Sequence, residues 1–295
     1  MNIRINNCFV FDEETTFSMK AQRKDHHLLE NVHKDVNALK SAGLFGVNST
    51  GKTCLLKCIQ VIKEMFLNRE LSLKSNIYSK SDICELGIVF THENNQYSYD
   101  IHYNVKTKAY VYERFVHSYK DTSDKEQEEI WLLKDTINHE YRCLDKTLEN
   151  ILIAMSRDSL VVYLVDTDQF NTMKKIKGII QAFASKIEVI NIKDIPVQQT
   201  EELVQKHKDL KGEVIEFMLT TGLFSEDTKD MEVCLDHYVY RPNIYQRIAT
   251  LAIYSIVAIE QGGILAIDGL DSRNHYQLTK ALATMFNSEL NTKGQ

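Results

Sequence analysis

A chain of 295 residues that is 43% hydrophobic and 26% charged, with two prolines, is globular in composition. It can bury a sizeable core as one large α/β domain or two smaller ones. No window holds eighteen consecutive apolar residues, which excludes a spanning helix of that kind, and a net charge of −6 gives no global attraction to nucleic acid.

The first residues, MNIRINNCFVFDEETTF, lack an apolar run between a basic start and a small-residue cleavage site, so the chain is expected to be unprocessed and cytoplasmic. Ile3, Ile5, Phe9, Phe11 and Phe17 alternate loosely and predict a strand pair around the polar turn DEETT. AQRKDHHLLENVHKDVNALK is polar and predicts loop. SAGLFG, apolar and small, predicts a buried strand. TCLLKCIQVIKEMFLN then places Leu55, Leu56, Ile59, Ile62, Met65 and Phe66 at the spacing of an amphipathic helix.

From Cys84 to Phe115, three β-rich runs broken by HENNQ and NVKTK predict an antiparallel meander. Helices around such strands suggest a β-lobe attached to an α/β core. HSYKDTSDKEQEE predicts a solvated turn or helix start, and residues 126–160 read as helix-rich. SLVVYLVD predicts a buried strand or a buried helix edge. KIKGIIQAFASKIEVIN predicts a helix and then a short strand. Residues 198–220 predict a helix with Leu203, Leu210, Val214, Phe217 and Met218 on one side. RIATLAIYSIVAIEQGG predicts a long apolar helix stopped by a double glycine, ILAID a strand, and YQLTKALATMFNS a last helix. The organisation expected is one domain over 1–295. Its parts are a strand pair, loop and first helix in 1–70, a β-lobe in 84–116, a helical segment in 120–220, and an apolar helix, strand and final helix in 240–295.

One stretch carries chemistry. Gly46, Val47, Asn48, Ser49, Thr50, Gly51, Lys52 and Thr53 satisfy G-x-x-x-x-G-K-[ST]. Glycines there let backbone N–H groups turn inward around phosphate oxygens. Lys52 can reach the β- and γ-phosphates, and the Thr53 hydroxyl can bind Mg²⁺. Such a loop works with a second strand whose terminal carboxylate orders the metal's water shell, and ILAID supplies Asp268.

GVNSTGKT, with an apolar run after it, resembles the nucleotide loop of ABC- and SMC-type ATPases. More narrowly, the chain resembles bacterial ATPases of the abortive-infection and OLD-like kind, a family of AAA-type core domains. The resemblance rests on LKSAGLFGVNSTGKTCLL, a β-meander ending in YVYERF, an apolar helix ending in EQGG, and ILAIDGLDSRNHYQLTKALATMFNS. The last is similar to that family's Walker B strand, D-loop and following helix. It implies an α/β P-loop NTPase of ABC-ATPase type, with a mostly parallel core sheet, an antiparallel β-lobe and a helical insertion. It also implies ATP and Mg²⁺ as cofactors, held by Gly46, Asn48, Ser49, Thr50, Gly51, Lys52, Thr53 and Cys54. Lys52 and Asp268 would then be catalytic, and Thr53 and Asp268 would serve the metal.

Three departures fall on the catalytic and dimer-sensing parts. Gly269 stands where the family has the glutamate that polarises the attacking water, and Asp271 is the nearest other carboxylate. The Ser-x-Gly-Thr signature is replaced by YRPNIYQRIATL, where only Arg247 keeps a basic position. The chain ends at Gln295, before the family's switch-histidine strand; His275 matches its D-loop histidine instead. The expected function is therefore an ATPase that switches conformation with nucleotide, as a homodimer or heterodimer around ATP, with an effector or nuclease partner in phage defence. The alternatives are a non-hydrolysing regulatory subunit or an inactive remnant.

Other signals weigh less. His26, His27 and His33 lack ligand-spaced partners, and MKKIK at 173–177 reads as a solvated helix face. Tyr97, Tyr99, Tyr103, Tyr110 and Tyr112 alternate as one face of a sheet does, with base stacking as the rival reading; the family resemblance, in which this lobe sits beside the adenine, implies a contact to the base by an aromatic or by Arg4. Cys8, Cys54, Cys58, Cys84, Cys143 and Cys234 have no metal spacing and are expected to be reduced structural thiols.

Overall fold

The computed structural model describes residues 1–21, 31–33, 37–47, 50–121, 125–192, 197–222, 243–270, 276–289 and 291, with the side chains of 197–201 and 243–246 outside that description. In chain order the elements begin with β1 (Asn2–Asn6), β2 (Thr15–Ser18), β3 (Val32–His33), β4 (Ala38–Leu39) and α1 (Lys52–Phe66). Then come β5 (Ile83–His92), β6 (Asn95–Asn104), β7 (Ala109–Lys120), β8 (Glu126–Asp135) and β9 (Glu140–Cys143). They are followed by α2 (Lys146–Glu149), α3 (Val161–Leu164), α4 (Asn171–Ser185) and β10 (Ile187–Asn191). The last are α5 (Val197–Lys206), α6 (Lys211–Thr220), α7 (Asn243–Gln261), β11 (Ile264–Asp268) and α8 (Tyr276–Asn287). The chain divides into two compact units, one of Met1–Lys20 with Leu44–Ser185, the other of Ala21–Gly43 with Lys186–Gln295.

The first unit is built on a seven-stranded sheet in the order β2-β1-β5-β6-β7-β8-β9, every neighbouring pair antiparallel. Its turns explain the pairing. Glu93 and Asn94, the two residues between β5 and β6, both have positive φ (48° and 62°), the twist that lets a two-residue loop reverse a strand. Alternation then sorts the side chains. Ile3, Ile5, Leu86, Ile88, Phe90, Tyr99 and Phe115 are buried on one face. There α1 brings Phe66 to within 5.5 Å of the Tyr99 ring, and α4 stacks Phe183 on Phe90 at 4.1 Å. On the other face Arg4 and Arg114 both pair with Asp100.

The second unit is mostly helical. Leu210, Val214, Phe217, Met218, Leu251 and Leu282 belong to one buried cluster of α6, α7, α8 and their surroundings. Its β10 and β11 pair in parallel, in register from Ile187↔Ile264 to Asn191↔Asp268. The connection between them contains α5, α6 and α7, the long crossover that parallel strands require.

The structure corrects the expected fold class. An α/β P-loop NTPase of ABC-ATPase type with a mostly parallel core sheet is not what forms. Among the described residues the large sheet is antiparallel, and the only parallel sheet has two strands. Short hairpins, not helical crossovers, link β5 to β9, and antiparallel pairing runs from residue 2 to residue 143. The helical segment expected over 120–220 contains β8 and β9. EQEEIWLLKD, rich in helix formers, is strand because β7 offers it a complete ladder. SAGLFG is not a buried strand: residues 42–46 are exposed and irregular, Phe45 88% so. The helix expected over 198–220 is two, α5 and α6, broken by a 3₁₀ turn at Lys208–Leu210.

Candidate functional site

The Gly46–Thr53 motif is placed at the start of α1, fifteen residues long and the best-buried helix against the large sheet. Gly51 precedes it with φ 95° and ψ −1°, a left-handed conformation that glycine adopts without the Cβ penalty. The space is tight as well, since a Cβ there meets Val10 Cγ2 at 3.1 Å and the Phe11 ring at 3.5 Å. The turn from β1 therefore supports the loop from beneath. Gly46 is similarly close, its Cβ position 3.2 Å from Thr50 Oγ1.

Lys52 closes the loop on itself. Its Nζ donates to the carbonyl oxygens of Gly46 and Val47, 2.7 Å each, and lies 3.4 Å from Thr50 Oγ1. Thr50 Oγ1 in turn donates to the Val47 carbonyl at 2.9 Å. Three of the predicted positions, Gly46, Thr50 and Lys52, are thus gathered with Val47 about an ammonium group, and Gly51 lies beside them in the chain. Thr53 is exposed and Cys54 half-buried on the first helical turn. Asn48 and Ser49 lie outside the described residues.

The electrostatics suit an anion. The first turn of α1 has no acidic side chain and its last turn carries Lys63, so the helix's own charges leave its start positive. Backbone N–H groups at a helix start, a lysine and a hydroxyl are the donor set that phosphate takes. The residues present therefore fit a nucleotide phosphate. Around the ammonium group, Val47 and Phe45 are 78% and 88% exposed, which leaves the loop open to solvent.

Asp268 has a different setting. It is the last residue of β11, half-buried, in register with Asn191 of β10. Gly269 follows with φ 74°. Lys52 and Thr53 belong to the first unit and Asp268 to the second. Among the described residues, no three histidines, cysteines or carboxylates are grouped to hold a metal. Asp271, His275, His26 and His27 are outside the described residues, and Arg247 is half-buried in α7.

The secondary signals resolve structurally. Tyr97, Tyr99 and Tyr103 are buried on the helix-covered face, whereas Tyr112 stacks on His102 at 4.4 Å. Arg4 is engaged by Asp100 and lies 3.9 Å from Glu14. Lys174 pairs with Asp168 at 2.9 Å while Met173 and Ile176 are buried, as on an amphipathic helix. Cys8, Cys54, Cys58, Cys84 and Cys143 are free thiols; burial pushes the Cys58 thiol up, as a hydrogen bond with Cys84 followed by burial does for Cys8. Cys234 lies outside the described residues.

Sequence reasoning missed the most unusual polar group in the first unit. Glu113 and Lys134, cross-strand partners on β7 and β8, are 0% and 1% exposed. Glu113 accepts from Tyr99 Oη at 2.9 Å and from the Val161 amide at 3.1 Å, and Lys134 donates to the Ser156 carbonyl at 2.8 Å. Burial raises the Glu113 pKa and lowers that of Lys134. The pair ties the chain at 156–161 to the sheet. Strand parity, which sets Glu113 on the same side as Phe115, was the signal that could have found it.

No described helix is long and apolar enough to cross a membrane. Compared with known proteins, the chain matches no protein-family model and no curated protein.

Proposed function

We propose that the chain binds ATP with Mg²⁺ through the Gly46–Thr53 loop and acts in the cytoplasm as a nucleotide-dependent switch on a partner. One observation carries this reading: Lys52 is held at 2.7 Å by two loop carbonyls at the start of α1, whose first turn has no acidic side chain. A triphosphate exchanges those neutral acceptors for anionic ones, and charge-assisted bonds are the stronger. Thr53 and Asp268 are the groups proposed to serve the metal, Asp268 on its sequence context. The bound cation supplies charge neutralisation at the phosphates; the chain's own loop binds and orients them. The resemblance to abortive-infection and OLD-like ATPases extends the proposal to phage defence, with a dimer around nucleotide and an effector partner.

The test is Lys52→Ala, with ATP binding measured by calorimetry. Loss of the charged donor is expected to weaken binding about tenfold or more. Unchanged affinity discards the site.

Gly269 favours a second reading, a subunit that binds ATP without hydrolysing it. Its φ of 74° suits glycine and strains a glutamate, so the backbone as well as the side chain departs from a water-activating residue. Losing a positioned base costs about 10²–10⁴-fold in rate. Saturable ATP binding with no turnover by the purified chain selects this reading; steady turnover selects the first.

A further inference from the structure

β8 spans ten residues and is paired along its length by β7, but β9 covers only Leu132–Asp135 on its other side. One further bond, from the Leu144 amide to the Trp131 carbonyl at 3.3 Å, ends that cover. Among the described residues, Glu126–Ile130 therefore presents an outer edge with no strand beside it. At about 3.4 Å per residue this is about 17 Å, the length of an ordinary strand. A strand edge offers alternate N–H and C=O groups that pair with any extended chain of suitable side chains.

We propose that this edge docks an extended lysine- or arginine-rich segment of a partner protein, which joins the sheet as an eighth strand. The side chains choose that occupant. Glu126, Gln127, Glu128 and Glu129 are all exposed. A second copy of the chain laid edge to edge sets these carboxylates against themselves, and like charges on facing strands repel. A basic strand meets them favourably.

Trp131 adds recognition. It is the extra residue of a bulge, because Val116 pairs with Ile130 while Phe115 pairs with Leu132. Its Nε1 donates to Glu129 Oε2 at 2.8 Å, and its ring lies 5.1 Å from that of His117 and 6.0 Å from that of Tyr97. A carboxylate bonded to an indole, half-buried at a strand edge, can take a guanidinium or ammonium by ion pairing and by the ring face together. Tyr119, 43% exposed, widens the aromatic patch. Charged edge residues commonly keep strands from aggregating; here the same charges leave a basic strand as the partner they admit.

Trp131 is the only tryptophan, so its emission reports the edge directly. The full chain is titrated with a nine-residue peptide of alternating lysine and threonine, and with the same peptide N-methylated at every residue. The expected result is saturable change in emission with the first peptide and at least tenfold weaker binding of the second, which keeps the charge but cannot form the ladder. Hydrogen exchange slows at the 126–130 amides. Glu126→Lys/Glu128→Lys/Glu129→Lys, read by calorimetry because Glu129 touches the indole, loses at least tenfold in affinity. Equal binding of both peptides, or no saturable change, overturns the proposal, as does self-association of the free chain that the triple variant abolishes.

Discussion

The two units solve the same problem, a buried interior, with different materials. The sheet-based unit buries a carboxylate, an ammonium group and a tyrosine hydroxyl among aromatic rings, each polar atom named above having a partner. The helical unit's cluster is aliphatic apart from Phe217 and Met218. Long antiparallel ladders fix the register of opposed residues, so a carboxylate and an ammonium can be set face to face at a known place. Helices packed by apolar stripes offer no such addressing, and the polar side chains buried in α7, Thr250 and Ser255, are small and uncharged. The cross-strand carboxylate and ammonium thus belong to the first unit, and so does the phosphate-loop candidate.

The sharpest way to break this contrast is Lys134→Met, which leaves Glu113 buried without its counter-charge. It is expected to cost about 3–5 kcal/mol, measured by urea unfolding. Replacing both partners, as Glu113→Leu/Lys134→Met, is expected to cost less than the single change. In the helical unit, Leu251→Ala opens a cavity at a fully buried position, expected at about 2–5 kcal/mol. A cost below 1 kcal/mol would show that this interior collapses readily and is not well packed. Gly269→Glu forces a side chain onto a left-handed backbone and is expected to lower stability by about 1–2 kcal/mol, seen in Tm.

The smallest effect is a pH slope. Burial first, opposed by Lys134 and by the Val161 and Tyr99 bonds, raises the Glu113 pKa above its unfolded value. Folded protein therefore keeps this proton to higher pH, so the contribution is fully present below the ordinary glutamate value and lost as pH rises through the raised one. Glu113→Gln removes that decline from the unfolding free energy; an unaltered slope would assign it to other groups.

Periodicity made α1, α4, α7, β10, β11 and the β5–β7 meander legible, because each shows its own pattern within one element. It failed at β8, where EQEEIWLLKD has helix-forming residues and owes its conformation to β7. It failed at SAGLFG, where small apolar residues imitate a buried strand and are exposed. The Gly46–Thr53 motif was legible as spacing, but the inward turn of Lys52 was not, since a side-chain direction leaves no trace in the motif. The same holds for Gly269: the sequence shows a glycine after Asp268, and only the backbone angle shows that a side chain would be strained there. Glu113 and Lys134 stayed hidden because their partnership spans a hairpin.

The helical unit is discontinuous. Lys40 Nζ bonds to the Ser288 carbonyl at 3.0 Å, and Ser41 Oγ to Asn287 Oδ1 at 2.9 Å. During synthesis the residues that donate these bonds leave the ribosome long before their acceptors exist. At about 5–20 residues per second the delay is on the order of ten to fifty seconds. β1 and β2 of the seven-stranded sheet precede that interval, and β5 to β9 are made within it. The birth order of the chain thus gives the sheet time to form before the last helix offers Lys40 and Ser41 their acceptors.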